Sequence, residues 1–163
     1  MRQRQSGVLI HVSSLLGRMV LPFWGAYSAS KWALEALAET YRVELSDYGV
    51  DSCIVEPGPF PTEFFGGLVA ADDPARASDY GDMAKAAEQS FADFGKALAA
   101  IPAQKPQLVA DAIVALIEAP SEQRPLRTTV DEMGIGEHVR QHNASHDSMI
   151  TAIYENLGIG STR

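Results

Sequence analysis

Two short apolar runs, Val8-Leu9-Ile10-His11-Val12-Ser13 and Val50 to Val55, constrain this chain more than any other feature. Neither alternates apolar with polar residues, and a β-branched run without alternation is the pattern of a strand covered on both faces in a parallel sheet. Parallel neighbours need a crossover, usually a helix. From Tyr27 to about Tyr48 the residues Ala33, Leu34, Leu37, Ala38, Tyr41 and Leu45 recur at helical spacing, and Gly49 supplies a left-handed stop. Strand, helix, strand in that order predicts two adjacent parallel strands joined by a right-handed crossover, hence an α/β fold.

The second run ends at Pro57-Gly58-Pro59. From Phe60 to about Asp82 the composition shifts to Pro, Gly, Ala, Asp and aromatics, and a long segment of that kind beside a strand end reads as a binding loop or lid, here taken over 60–105. Helices are expected over Met83–Ala100, with Phe91, Phe94 and Leu98 at helical offsets, and over Leu108–Glu118, whose apolar face ends at Pro120. Arg127-Thr128-Thr129-Val130 is a strand candidate, and Ile150–Leu157 reads as a weak amphipathic helix. Gly134-Ile135-Gly136 and Gly158-Ile159-Gly160 read as loops, because neither stands between a strand and a helix. The pattern divides the chain into a core over 6–131 and a tail over 132–163.

Composition narrows the class of function. With 163 residues, 46% hydrophobic and 21% charged, the balance is that of one globular domain. A formal net charge of −8 leaves no basic surface for nucleic acid and disfavours an anionic membrane. The longest apolar stretch, Met19 to Ala26, is far short of the roughly 20 residues of a spanning helix and holds Pro22 and Gly25. Val8 to Val12 is too short for a signal-peptide core, and the single cysteine, Cys53, fits a reducing compartment. A cytoplasmic protein is expected.

The chemistry sits in Ser13-Ser14, a gap of 12 residues, and Tyr27-Ser28-Ala29-Ser30-Lys31. Tyr27 and Lys31 are i and i+4 at the start of the long helix and project from one face. An ammonium there favours the ionised phenol, and a phenol so placed exchanges a proton with a carbonyl or alcohol oxygen. Ser14 follows a strand's carboxyl end, where ligands bind in open parallel sheets.

These residues resemble the short-chain dehydrogenase/reductases, whose pattern Gly-x-x-x-x-x-Ser-Ser, Tyr-x-x-x-Lys and Pro-Gly-x-x-x-Thr stands here as Gly7 to Ser14, Tyr27 to Lys31 and Pro57 to Thr62. The resemblance runs from Ser6 to about Asp131 and implies the carboxyl-terminal half of a Rossmann-like doubly wound parallel sheet. By that resemblance Ser14 positions the substrate oxygen, Tyr27 is the acid or base, and Lys31 assists Tyr27 and binds the nicotinamide ribose. Pro57, Gly58, Phe60 and Thr62 would face the nicotinamide end of NAD or NADP, with Thr62 at its carboxamide. The implied reaction interconverts a carbonyl and an alcohol on a small molecule. The family's glycine-rich first half and its cofactor-selecting residue have no counterpart in the sequence. The chain is therefore expected to be the latter part of such an enzyme, starting at an internal methionine through either a choice of start or a real truncation, and to bind the nicotinamide cofactor poorly by itself. A non-catalytic remnant or interaction module that keeps the helix stays open as the alternative.

Other candidates carry less. His138, His142 and His146 fall at i, i+4 and i+8, but Asn143-Ala144-Ser145 is a poor helix former and no cysteine accompanies them, so no metal site is expected. Cys53, inside an apolar strand, reads as a small buried hydrophobe. Phe23, Trp24, Phe60, Phe64 and Phe65 either line a pocket for an apolar or bulky carbonyl compound or are ordinary packing. Ala29, Ala33, Ala36 and Leu37 form a stripe able to pack on a twofold copy, and a full-length form is expected to be a homo-oligomer.

Overall fold

The computed structural model describes residues 1–67, 69 and 73–159. Strands β1 (Gly7–Val12), β2 (Val50–Pro57) and β3 (Arg127–Val130) form one parallel sheet in the order β1-β2-β3. The α-helices are α1 (Gly25–Glu44), α2 (Asp82–Ala99), α3 (Gln107–Glu118) and α4 (Gly136–Leu157). The expected strand, helix, strand unit is present, with Ile10 opposite Cys53 and Val12 opposite Val55.

Central β2 is buried on both sides, as its unalternating sequence requires: Cys53, Ile54 and Val55 have no exposed surface. Its two faces differ in chemistry because successive side chains point to opposite sides. Cys53 and Val55 pack with Leu116, Val109 and Ile113 of α3, flanked by Val8, Ile10 and Val130. On the other face, Ser52 Oγ donates to the Ala38 carbonyl of α1 at 2.8 Å, and Glu56 accepts hydrogen bonds from Asn143 of α4. Helix α3 therefore covers one face and helices α1 and α4 the other, the two-sided cover of a doubly wound sheet. Cys53 is a buried free thiol. The outer edge of β1 pairs with no strand among the described residues, and Val8, Leu9 and Ile10 stay partly exposed.

Two helices differ from expectation in their bounds. Helix α1 begins at Gly25 and ends at Glu44, and a 3-10 turn, Ser46–Tyr48, carries the chain to Gly49, whose φ of 62° stops that turn. The tail is a helix over Gly136–Leu157 rather than Ile150–Leu157, so Gly136 opens a helix instead of lying in a loop. Asn143, Ala144 and Ser145 sit inside it against their weak propensity. Tertiary bonds override that propensity: Asn143 is clamped between Arg18 and Glu56, and the Asp131 carboxylate accepts from the Gly136 amide at 2.9 Å where the helix begins. Among the described residues no helix is long and apolar enough to cross a membrane.

Candidate active site

The carboxyl ends of β1 and β2 meet at one edge of the sheet. The Ser13 amide donates to Val55 O at 2.8 Å and continues the ladder past Val12. Ser14 then caps a 3-10 turn, Leu15–Gly17, its Oγ accepting from the Leu16 amide at 3.1 Å. Among the described residues no acceptor takes the Ser14 hydroxyl proton, which leaves that donor for an incoming oxygen.

Tyr27 stands in the first turn of α1 with Lys31 one turn on. Lys31 Nζ lies 5.6 Å from the Tyr27 ring centroid and donates to Val12 O at 2.9 Å, so the ammonium ties the helix to the end of β1. Burial lowers the Lys31 pKa, and the charge of Glu35 on the next turn opposes that shift. Trp24 and Phe64 meet the Tyr27 ring edge-on at centroid distances of 5.7 and 5.6 Å. Trp24 in turn stacks against Phe91 and Phe94 at 5.1 and 6.0 Å, which places α2 as a wall beside the phenol.

The opposite wall is the end of β2. The Gly58 amide donates to Val130 O at 2.8 Å, and a Cβ on Gly58 would stand 2.3 Å from Asp131 Oδ1, so only glycine fits. Buried Gln104 braces this turn, donating to Pro59 O at 2.6 Å and accepting from the Glu132 amide at 2.7 Å. Sequence reading found neither Gln104 nor Asp131, because their partners lie far along the chain and no spacing announces them. Thr62 is exposed and its Oγ1 accepts from the Phe64 amide at 3.3 Å.

Ser14, Tyr27, Lys31, Pro57, Gly58, Phe60 and Thr62 all line a single cavity of about 420 Å³. The rest of its lining is mostly apolar, with Leu16, Met19, Leu21, Trp24, Phe64 and Phe94 prominent. Of the five aromatics nominated from sequence, Trp24, Phe60 and Phe64 line it. Phe23 does not: it turns the chain into α1 with a φ of 70° and is 44% exposed. The Phe65 side chain lies outside the described residues.

The donors of Tyr27, Lys31 and Thr62 beside the side-chain-free Gly58 suit a flat, amide-bearing ring and its hydroxylated sugar. These residues thus fit the nicotinamide end of a dinucleotide. Between a strand and a helix the described residues place Gly134-Ile135-Gly136, after β3 and at the start of α4, where the sequence pattern predicts a loop away from such a junction.

Residues 1–73 match the sequence profile of the short chain dehydrogenase family. The chain is 42% identical over 77 residues to an NADPH-dependent 3-dehydrocapnine reductase of Ornithobacterium rhinotracheale, covering 47% of this chain and 27% of that protein. It is 33% identical over 136 residues to retinol dehydrogenase 8 of Homo sapiens, covering 78% of this chain and 40% of that protein. A short-chain dehydrogenase structure from Streptomyces avermitilis superposes on 96% of this chain and 53% of its own, with a TM-score of 0.58 and 28% identity. The chain thus spans about half, or less, of the length of the proteins it matches.

Proposed function

Since the chain belongs to the short-chain dehydrogenase/reductase family, we propose that it serves the NAD(P)-dependent interconversion of a carbonyl and an alcohol, with Tyr27 moving the proton and a bulky, apolar compound as substrate. One observation carries this reading: Ser14, Tyr27 and Lys31 share one cavity whose walls are mostly apolar. The human relative acts on retinol, an apolar alcohol, which supports the same substrate class.

When bound, a nicotinamide cofactor would supply the hydride chemistry at the substrate carbon. Tyr27 gives the phenol proton to the oxygen on reduction and takes it back on oxidation. Ser14 donates a hydrogen bond from its hydroxyl to the same oxygen and fixes the direction of approach. Lys31 stabilises negative charge on the phenol as its proton leaves, from a position held by Val12 O. Trp24 and Phe64 exclude water from the edges of the phenol ring. Pro57, Gly58, Phe60 and Thr62, which line the cavity, would hold the flat ring of that cofactor.

The test is Tyr27→Phe in the full encoded protein, assayed with NADPH or NADH and retinal as the carbonyl probe. Turnover is expected to fall roughly 10²–10⁴-fold, the scale of general acid catalysis, with nucleotide affinity nearly unchanged. Retained turnover overturns the assignment.

A second reading, an interaction module without catalysis, is supported by the exposure of Ala29, Ala33, Ala36 and Leu37 along α1. Calorimetric titration of the full encoded protein separates the two. Micromolar NADPH binding would favour the enzyme, and its absence the module.

A further inference from the structure

Two groups of elements furnish the walls of the cavity. Ser14, Tyr27 and Lys31 come from the turn after β1 and from α1. That group has anchors of its own: Lys31 donates to Val12 O at 2.9 Å, and Arg127 of β3 bonds to Glu39 of α1 and, at 2.5 Å, to Asp147 of α4. The facing group draws on three stretches far apart in sequence. Gly58 and Thr62 follow β2, Pro106 leads into α3, and Ile135 precedes α4. Gln104, just before Pro106, ties the other two stretches to its own.

Gln104 lies in the irregular stretch between α2 and α3 and is 1% exposed. Glutamine is mostly a surface residue, and a buried amide is costly unless its polar atoms are paired. Here both are. Nε2 donates to Pro59 O at 2.6 Å and to Asp131 Oδ1 at 3.4 Å, while Oε1 accepts from the Glu132 amide at 2.7 Å. Two acceptors on one side and a donor on the other fix which way the amide points. Asp131 carries the connection further, its Oδ2 accepting from the Gly136 amide at 2.9 Å where α4 begins. Pro59, Gln104, Asp131 and Gly136 thus form one chain of hydrogen bonds across all three stretches.

The turn after β2 is held against this chain from two directions. A Cβ on Gly58 would stand 2.3 Å from Asp131 Oδ1 and 3.1 Å from Gln104 Nε2, so the Gly58 backbone already abuts the pair and has no room to move toward it. Moving away breaks the bond to Pro59 O and the 2.8 Å bond from the Gly58 amide to Val130 O. Among the described residues no side-chain hydrogen bond of Gln104 or Asp131 reaches β1 or α1. A fully satisfied buried polar network specifies one geometry, and a wall set before a ligand arrives spares the ordering cost on binding.

We propose that Gln104 is a positioning residue for the nucleotide: it fixes the spacing of the turn after β2, the start of α3 and the Ile135 stretch, and leaves the placement of Ser14, Tyr27 and Lys31 to other anchors. The proposal rests on the reading of Gly58 and Thr62 as the side of the cavity that takes the nicotinamide end. Its signature is a split. Loss of the Gln104 amide weakens nucleotide binding and spares the proton-transfer residues.

The full encoded protein is compared with its Gln104→Met variant, in which the side chain keeps its length but has no donor and only a weak acceptor. Without nucleotide, amide exchange at Gly58 and Gly136 is expected to quicken roughly tenfold, the scale of one lost buried hydrogen bond. The Ser13 and Leu16 amides, on the side of Ser14, are expected to stay close to wild type. Equal acceleration at all four overturns the proposal, since it reports general destabilisation, and so does an unchanged Gly58. Calorimetric titration is expected to show NADPH affinity lower by roughly tenfold on the same scale. With NADPH and retinal, KM for NADPH is expected to rise by a similar factor and kcat at saturating NADPH to hold. Unchanged NADPH affinity, or a loss confined to kcat, overturns the positioning role. If Gln104→Met fails to fold, the wild type decides: its Gln104 side-chain amide hydrogens are expected to exchange as slowly as the Gly58 amide, and rapid exchange overturns the proposal. A wild type that binds no NADPH counts against the proposed function instead, and the exchange rates of the free protein then decide for Gln104.

Discussion

Gly17 and Glu35 constrain each other across the turn that presents Ser14. A Cβ on Gly17 would meet Ser13 Oγ at 2.7 Å, Glu35 Cγ at 3.0 Å and Glu35 Oε1 at 3.1 Å, and none of these can retreat without disturbing a buried group. Gly17→Ala is therefore expected to cost about 1–3 kcal/mol, the scale of overpacking in a filled core, measured as a lower urea midpoint. A smaller cost in Glu35→Ala/Gly17→Ala than in Gly17→Ala alone would show that the two residues contend for the same space. Glu35 also gives stability a pH dependence whose sign is fixed. Its folded value near 7 lies above the ordinary 4.5, so the native state holds the proton more tightly than the unfolded chain. The stabilisation is complete below about 4.5 and is lost as pH rises through about 7, on the order of 3 kcal/mol in all. Relative to Glu35→Gln, the wild-type urea midpoint is expected to fall between pH 5 and 7.5, and parallel curves would refute this. Tyr27, Lys31 and Ser14 were legible in the sequence because their relation is local: one helical turn and one strand end. Glu35 continues that spacing four residues on, yet its burial depends on Glu56, Arg127 and Arg18, which no local pattern connects to it.

Among the elements, β1, β2, α1 and α3 follow the hydrophobic pattern closely, because burial on both faces of a parallel strand writes itself into consecutive residues. Helix α4 does not. Its Asn143-Ala144-Ser145 stretch is helical because Asn143 joins Arg18 of the loop after β1 to Glu56 of β2, contacts spanning 125 and 87 residues of sequence. Asn143→Ala removes the Oδ1 that accepts from Arg18 and the Nδ2 that donates to Glu56, and leaves Glu56 with Thr129 as its hydrogen-bonding partner. The expected loss is about 1–3 kcal/mol, the cost of stranding a buried polar group. Faster amide exchange is expected along Gly136–Leu157, ahead of α3. Exchange unchanged in α4 would show that its docking rests on its apolar contacts instead.

For the molecule as a whole, the telling contrast lies between β2, where Cys53, Ile54 and Val55 are fully covered, and β1, where Val8, Leu9 and Ile10 are only partly so. An apolar strand with a free edge is a template for pairing. The 163-residue chain is expected to associate as concentration rises, seen as a growing weight-average sedimentation coefficient, and Leu9→Lys to suppress it. A concentration-independent coefficient would show that the edge is protected. Assembly also has an order in time. Arg127 of β3 is 88 residues from Glu39, its partner on α1. A ribosome releases Ser14, Tyr27, Lys31, Glu35 and Glu56 long before it releases that guanidinium. Until then Glu35, Glu39 and Glu56 have no countercharge from β3 with which to pack. The nascent chain therefore carries its chemical residues early and acquires the means to seat them late, so a transcript cut short ahead of codon 127 encodes the motif without the site.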